Sequence, residues 1–551
     1  MLLDWCAVAD QGRGIRFWRR EGWDHFSYHA LARLVSGASS FLADAGVGPG
    51  TIAFIVMPPG PELVALFFGT LAVGATPSVL APPQALQDRG AWAGSIERMT
   101  HQVQPSLVVT TPALGEWVHQ AGTDLRTVTV DIAELEGRAS GSLIFSPSES
   151  PALLQFSSGS SGNPKALVIS AQALDDQIAA IRRWLRMGRD DGTATWLPLY
   201  HDMGLVGCFL APIVNGSNLD VMEPKDFVRS PRRWLSCFDD GRASLSAAPT
   251  FGLRHILRRV KPEHVAGLDL SDWRALILGA ERIDLEVLKG FTTLLAPAGF
   301  NPRALRPAYG LAEATLAVTG LGVDLSPTSI TIDRRSLIIG CPVVQCETDD
   351  PYALSLIGCG SPLGDFSVVV ADSDGRPVEP GVFGTIVLDR ATMADARVTA
   401  DGHVEWLPDA GYDTGDSGFL YDGQLYVVGR LGDSLKNRGT IVFAEDLESL
   451  AADTSGDTSA SPVVLLGTLQ GSDVALVVTE RGSPAWAEEV IAALVTHLEG
   501  ITIRVLRVSR GAFLRTSSGK PRRRAMWDHF TCGLLGGEEL AFRSASSSTL
   551  T

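Results

Sequence analysis

LLQFSSGSSGNPKALVIS, residues 153–170, is the stretch on which the reading turns. LLQFS (153–157) and ALVIS (166–170) have the short apolar texture of buried strands. Between them stand Ser157, Ser158, Gly159, Ser160, Ser161, Gly162, Asn163, Pro164 and Lys165. Glycines let backbone N–H groups approach an anion, hydroxyls add donors, and one lysine supplies charge. These are the ingredients of a polyphosphate cradle. A Walker A loop is excluded, because GxxxxGK[ST] opening a helix is missing. A serine–glycine run also reads as a flexible linker; the flanking strands and the Pro-Lys pair argue against that.

Outward from this loop, short apolar runs alternate with helical patterns. IAFIVM (52–57), SLVVT (106–110) and RALILG (274–279) read as strands, and PELVALFFGTLAVG, 171–187 and 285–295 as helices. Such alternation predicts an α/β sandwich with mostly buried sheets. Near residue 365 the texture changes: FSVVVADSDGRPVEPGVFGTIVLD is two strands joined by turn residues, a small antiparallel unit. After Arg430 come VVLLG, a hairpin partner DVALVVTE, a helix over 484–498 and the strand ITIRVLRV, a compact α+β segment. The boundary falls near 429–433. TSGDTSAS (454–461) reads as an exposed loop and SASSSTLT as a disordered tail.

At 551 residues the chain exceeds the size at which one core stops growing, so two or more domains are expected. A net charge of −16 and a pI near 5.1 argue against a general nucleic-acid or anionic-membrane surface. The 7 cysteines form no CxxC pair and no disulfide-like spacing. The N-terminus lacks a signal-peptide pattern, and the longest apolar stretch, 63–73, is too short to span a bilayer. A cytoplasmic protein is expected.

The loop at 157–165 resembles the phosphate-binding loop of the adenylate-forming enzymes: acyl-CoA synthetases, peptide-synthetase adenylation domains, luciferases and fatty acyl-AMP ligases. Further matches follow in that superfamily's order. WLPLYHDMGLVG (196–207) resembles its acyl-pocket segment, and LILGAERI (276–283) and AYGLAEATL (308–316) its adenine-site segments. YDTGDSGFL (412–420) and YVVGRLGDSLKNRG (426–439) resemble the ribose site and hinge, and RTSSGKPRRRA (515–525) the C-terminal lysine motif.

The resemblance implies a fold of two parts. Residues 1–430 would form a large domain of two stacked β-sheets with helices and a small β-barrel-like subdomain. Residues 431–551 would form a small mobile α+β domain carrying the catalytic lysine. It also implies roles. Ser157, Ser158, Gly159, Ser160, Ser161, Gly162 and Lys165 would hold ATP phosphates. Gly279, Ala280 and Glu281 would face one side of the adenine, with Tyr309 along the other and Gly310, Leu311 and Ala312 beside it. Asp416 would accept from the ribose hydroxyls, with Arg430 adding a donor. Glu313 would bind Mg²⁺, which suits a hard carboxylate oxygen. His201 would sit at the reacting carboxylate, and Tyr200, Phe209 and Phe251 would help line the acyl pocket; ordinary core packing is the alternative for the phenylalanines. Asp433 would be the hinge, and Lys520 would bridge α-phosphate and carboxylate.

YHDMGLVG and YGLAEATL resemble the ligase spelling more than the synthetase one. Residues 324–357 match an insertion that the resemblance associates with acyl-AMP ligases, where it restricts rotation of the C-terminal domain; a neutral surface insertion is the alternative. RGTIVFAEDLE departs from the ligase pattern after the hinge, and Gly432 replaces a usual charge. The expected function is ATP-dependent activation of a fatty or other bulky hydrophobic acid to acyl-AMP. The acyl group would then pass to a thiol acceptor, a carrier protein or CoA, in bacterial lipid, polyketide or natural-product biosynthesis. An acyl-CoA synthetase and a non-catalytic nucleotide- or acyl-adenylate-binding protein are the other readings.

Overall fold

The computed structural model describes residues 2–545 apart from 9, 84–88, 121–124, 140–142, 144, 147–148, 158–163, 389–392, 409, 438, 455–461 and 516–519. Among the described residues, the first part of the chain builds two β layers. One is a nine-stranded sheet. Its strands run parallel from Gly14–Trp18 through Leu219–Val221, Thr193–Thr195, Leu245–Ala248 and Ala275–Leu278 to Leu305–Gly310. Antiparallel strands close both edges. The other layer sets the parallel strands Thr76–Leu80, Ile52–Val56, Leu107–Thr110 and Thr127–Thr129 beside an antiparallel group, Leu153–Ser157, Lys165–Ile169, Ala396–Val398 and Val404–Trp406.

Local chemistry sets the helices in this framework. The helix Tyr28–Asp44 starts at Ser27, whose hydroxyl accepts from the Ala30 N–H. The helix Pro61–Ala72 starts with proline, whose missing N–H costs nothing in a first turn. It is apolar on nearly all sides, and Phe67 and Phe68 are fully buried. Burying each such ring contributes roughly 2–3 kcal/mol. The two helices touch closely at Gly69, where a Cβ would stand 2.8 Å from that of Ala38.

The small β-barrel-like subdomain is centred on a four-stranded antiparallel sheet. Val368–Ala371, Gly384–Leu388, Tyr412–Tyr421 and Gln424–Arg430 pair antiparallel in that order. Its last strand is covered at the edge: Cys359 N donates to Leu425 O and Leu425 N to Gly360 O.

Beyond the short turn Leu431–Asp433, the strands Val463–Leu469, Ser472–Thr479, Thr502–Arg507 and Glu538–Arg543 form a sheet of their own. The helices Ala444–Asp453 and Pro484–Val495 bury one face of it. Arg523–Thr531 covers the other through Met526. The expected loop at 454–461 and most of the tail lie outside the described residues.

The stretch 324–357 folds as a hairpin, Ser329–Asp333 with Ala353–Ile357. Its Ile330, Ile332, Leu337, Leu354 and Leu356 share one apolar cluster with Ile441 and Phe443, from the hairpin Ser434–Asn437/Thr440–Phe443. Ile441 N donates to Leu337 O at 3.0 Å, and Tyr352 meets the His497 ring edge-on at 5.4 Å. No helix among the described residues is long and apolar enough to cross a membrane.

Candidate active site

Parallel strands end on one side of their sheet, and the loops that follow converge there. Ala275–Leu278 delivers Gly279, Ala280 and Glu281; Leu305–Gly310 delivers Leu311, Ala312 and Glu313; Thr193–Thr195 leads to Tyr200 and His201. Leu245–Ala248 leads to Phe251. Registers of Ala248 with Leu278, and of Leu278 with Pro307, bring these ends side by side.

The backbone is strained where the site is built. Ala280 has φ +69° and Thr315 has φ +63° with ψ −46°. For a β-branched residue the latter is costly, and such strain persists where the surroundings over-determine it. The turn carrying Glu313 is pinned by Ala394 N, which donates to Glu313 O at 2.8 Å.

His201 is held by its main chain: its N–H donates to Pro198 O at 3.2 Å, and its carbonyl accepts from Leu205 at 2.7 Å. Next to it Asp202 caps Met203 N, opening the π-helical run Met203–Leu210. Gln155, on the strand before the serine–glycine loop, donates to Tyr200 O at 2.9 Å and so ties that strand to the histidine. Burial, reinforced by the positive charge of Lys520, pushes the His201 pKa down to about 4. The imidazole is therefore neutral at physiological pH.

Lys520, an exposed residue of the C-terminal segment, therefore lies near enough to the cleft for its charge to act on His201. Its charge is felt at Asp202 and Glu281 as well as at His201. Burial raises the Glu281 pKa, and the Phe251 N–H on its carboxylate at 2.6 Å lowers it in part. Phe251 is 42% exposed at the mouth of the cleft. Phe209 is fully buried in the apolar core, and Trp196 and Phe227 stack at 3.9 Å beside the cleft.

On the opposite wall the Tyr309 hydroxyl donates to Asp416 Oδ2 at 2.8 Å, and Arg430 Nε donates to Asp416 Oδ1 at 3.0 Å. Asp416 and Arg430 face each other across the hairpin of Tyr412–Tyr421 with Gln424–Arg430. Burial and the Asp416 charge hold the Tyr309 phenol protonated, and the Asp416 charge raises the Arg430 pKa. Glu313 belongs to the same field, since its charge raises Tyr412 and Arg430.

Ser157 pairs directly with Lys165 at the mouth of their hairpin. Ser158, Gly159, Ser160, Ser161 and Gly162 lie outside the described residues. Asp433 accepts from Arg523 Nη1 at 3.1 Å, and Arg523 also forks onto the half-buried Glu448 at 2.9 Å. Sequence reasoning missed that network, and also the Arg282–Asp446 ion pair that joins the Glu281 loop to the helix Ala444–Asp453. An arginine directly after the Gly-Ala-Glu run was the one available signal.

The family model described as AMP-binding enzyme matches residues 5–396. The chain belongs to this family. A putative acyl-CoA synthetase of Caulobacter vibrioides is 30% identical over 97% of this chain and 95% of its own. The long-chain-fatty-acid–AMP ligase FadD26 of Mycobacterium marinum is 29% identical over 88% of this chain and 87% of its own. Among solved structures, one from a study of fatty acyl-adenylate ligases from E. coli and L. pneumophila superposes with a TM-score of 0.86. It is 26% identical and covers 97% of each chain. As a member of the AMP-binding family the chain is a ligase that uses ATP to activate a carboxylic acid as its acyl-AMP, for transfer to a thiol.

Proposed function

We propose that this chain is an acyl-AMP ligase for a fatty or similarly bulky hydrophobic acid, with residues 1–430 binding the substrates and 431–551 bringing the lysine. The observation that supports the reading is that the charge of Lys520 reaches His201, Asp202 and Glu281. The substrate carboxylate attacks the α-phosphorus of ATP, a new P–O bond forms, and the bond to the β-phosphate oxygen breaks as pyrophosphate leaves. Both partners are anionic, so the protein's task is to align them and neutralise charge. Lys520 would bridge carboxylate and α-phosphate, and neutral His201 offers a hydrogen bond without competing for the anion. Asp416, oriented by Tyr309 and Arg430, would take the ribose hydroxyls. Ser157, Lys165 and the loop between them would take the β- and γ-phosphates.

Among the described residues no three acidic, His or Cys groups cluster as a metal cage. Magnesium is commonly bound by one or two carboxylates together with phosphate oxygens. Glu313 would be that carboxylate, and the ion would supply charge neutralisation on the phosphates.

The acyl group would go to a carrier-protein thiol, because the hairpin in 324–357 is bonded to the C-terminal hairpin through Leu337 and Ile441. That contact opposes rotation about Asp433. A second reading, synthesis of the CoA thioester by this chain alone, is favoured by the Caulobacter relative's name. Purified protein, ATP, Mg²⁺ and a panel of fatty, aryl and terpenoid acids decide between them, with acyl-AMP followed by mass spectrometry. Acyl-AMP that persists when CoA is added supports the ligase. Conversion to acyl-CoA selects the synthetase. A chain that binds ATP yet forms no adenylate from any acid belongs with the binding proteins.

A further inference from the structure

Arg523 is the first residue of the helix Arg523–Thr531 and stands three positions after Lys520. Its guanidinium holds two carboxylates at once. Nη1 donates to Asp433 Oδ2 at 3.1 Å, while Nε and Nη2 fork onto Glu448 at 3.1 and 2.9 Å. Only 12% of the Arg523 side chain is exposed, so these charge-assisted bonds are partly shielded from water.

The two arms differ in what they join. Glu448 lies on the helix Ala444–Asp453 and also accepts from Val464 N at 2.9 Å, so its fork stays within the C-terminal segment. Asp433 ends the turn Leu431–Asp433, the seam between the two parts of the chain. Three residues before it, Arg430 holds Asp416. The backbone from Arg523 back to Lys520 has little freedom. Pro521 has a fixed φ, restricts the residue before it and pairs with Arg515, and the Arg522 N–H donates to Leu514 O at 2.8 Å. Two strides of three residues, joined by one ion pair, therefore connect Asp416 to the lysine.

We propose that Arg523 is a positioning residue for adenylation: through Asp433 it fixes the Lys520 segment against the part of the chain that holds Asp416. The role rests on the adenylating reading of Lys520. Turning about the backbone ψ of Asp433 would carry its carboxylate away from Arg523, whereas the Glu448 fork would persist. The Asp433 arm therefore belongs to one orientation of the C-terminal segment. A contact made in only one of two states shifts the equilibrium toward that state.

The full chain tests this with Arg523→Ala, Arg523→Lys, Asp433→Asn and Glu448→Gln, in assays of acyl-AMP formation, thioester formation from supplied acyl-AMP and amide hydrogen exchange. Charge-assisted bonds set the scale, so Arg523→Ala should lower kcat for adenylation about tenfold or more and leave KM for ATP near the parent value. Asp433→Asn, which keeps the Glu448 fork, should show the same split to a lesser degree, and it carries the test where Arg523→Ala fails to fold. Arg523→Lys, which keeps the charge, should recover part of the loss. Thioester formation from supplied acyl-AMP should not slow in Arg523→Ala or Asp433→Asn. Without ligand, peptides containing Lys520 and Arg522 should exchange several-fold faster in Asp433→Asn than in the parent, with the strand Ser472–Thr479 unchanged. A purely structural arginine would slow both reaction steps together, with Glu448→Gln matching or exceeding Asp433→Asn, and that pattern overturns the proposal. Unchanged kcat in Asp433→Asn overturns it as well. A parent that forms no acyl-AMP from any acid of the panel overturns the adenylating reading instead, and the exchange data still decide the anchor: equal exchange in parent and variant sinks it.

Discussion

Arg282 and Asp446 form an ion pair that links the loop carrying Glu281 to the first turn of the helix Ala444–Asp453. Their side chains are 19% and 5% exposed, so the pair is largely shielded from water. It spans the seam between the part of the chain that would hold the adenine and the part that carries Lys520. Among the described residues Arg282 Nε and Nη2 have no hydrogen-bond partner, so the pair is the main satisfaction of this guanidinium.

Removing one partner from such a pair leaves an uncompensated, desolvated charge, a loss on the order of 3 kcal/mol for a fully buried case and less here. Asp446→Asn should therefore slow acyl-AMP formation at least several-fold, with little effect on AMP affinity. The Arg282→Met/Asp446→Leu double variant, which leaves no orphan charge, should recover part of the rate. Initial adenylation rates of Arg282→Met, Asp446→Leu and their double variant check the prediction, and additive effects would refute the coupling.

Lys520→Ala tests the cleft directly. A positioned donor on a developing charge contributes about 3–4 kcal/mol, so adenylation should slow about a hundredfold or more. Consumption of supplied acyl-AMP should be much less affected, because the lysine's task precedes it. Near-normal adenylation by this variant would remove Lys520 from the mechanism.

His201 makes a pH prediction whose sign is fixed by burial. Its folded pKa, about 4, lies below the ordinary value of 6.5, so the unfolded chain binds the extra proton first. Stability from this site is full above pH 6.5 and falls as the pH drops from 6.5 toward 4, by on the order of 3 kcal/mol in total. Denaturant titrations at stepped pH should show His201→Gln losing less stability than the parent across that window. Adenylation by the parent should likewise show no inflection near 6.5 from this group. Identical slopes for parent and variant would contradict the assignment.

How much of this was legible in the sequence follows chain distance. The loop at 157–165 could be located from its flanking apolar strands and its glycines, whereas Gly279–Glu281 and Tyr309–Glu313 are placed by their resemblance to the superfamily's adenine-site segments. Asp416 and Arg430 are likewise placed by resemblance, and the structure joins them across a hairpin. The Tyr309–Asp416 hydrogen bond and the Arg282–Asp446 pair join residues 107 and 164 positions apart, and no local pattern encodes such a meeting. Phe209 shows a different limit: an apolar run reads alike whether it lines a pocket or fills a core, and here it is fully buried. The small antiparallel unit was legible from its two strands and turn residues, whereas the segment 358–360 that covers its last strand was not.

The contact between the 324–357 hairpin and the C-terminal segment gives the last prediction. Tyr352 stands edge-on to His497 at 5.4 Å, with the Arg335 guanidinium over the Tyr352 ring at 4.3 Å. An aromatic pair of this kind contributes about 0.5–1.5 kcal/mol beyond its burial. Deleting the whole hairpin would strip cover from Phe383, Phe419 and Phe443 and endanger the fold, so the side chains are the better target. Tyr352→Ala and His497→Ala should leave acyl-AMP formation near the parent rate, since neither residue reaches the cleft. If the contact restrains rotation about Asp433, each variant should speed conversion of acyl-AMP to a CoA thioester by about two- to tenfold, the range set by that pair energy. The double variant should add little to either single one. Unchanged thioester formation in all three would make the hairpin a decoration rather than a restraint.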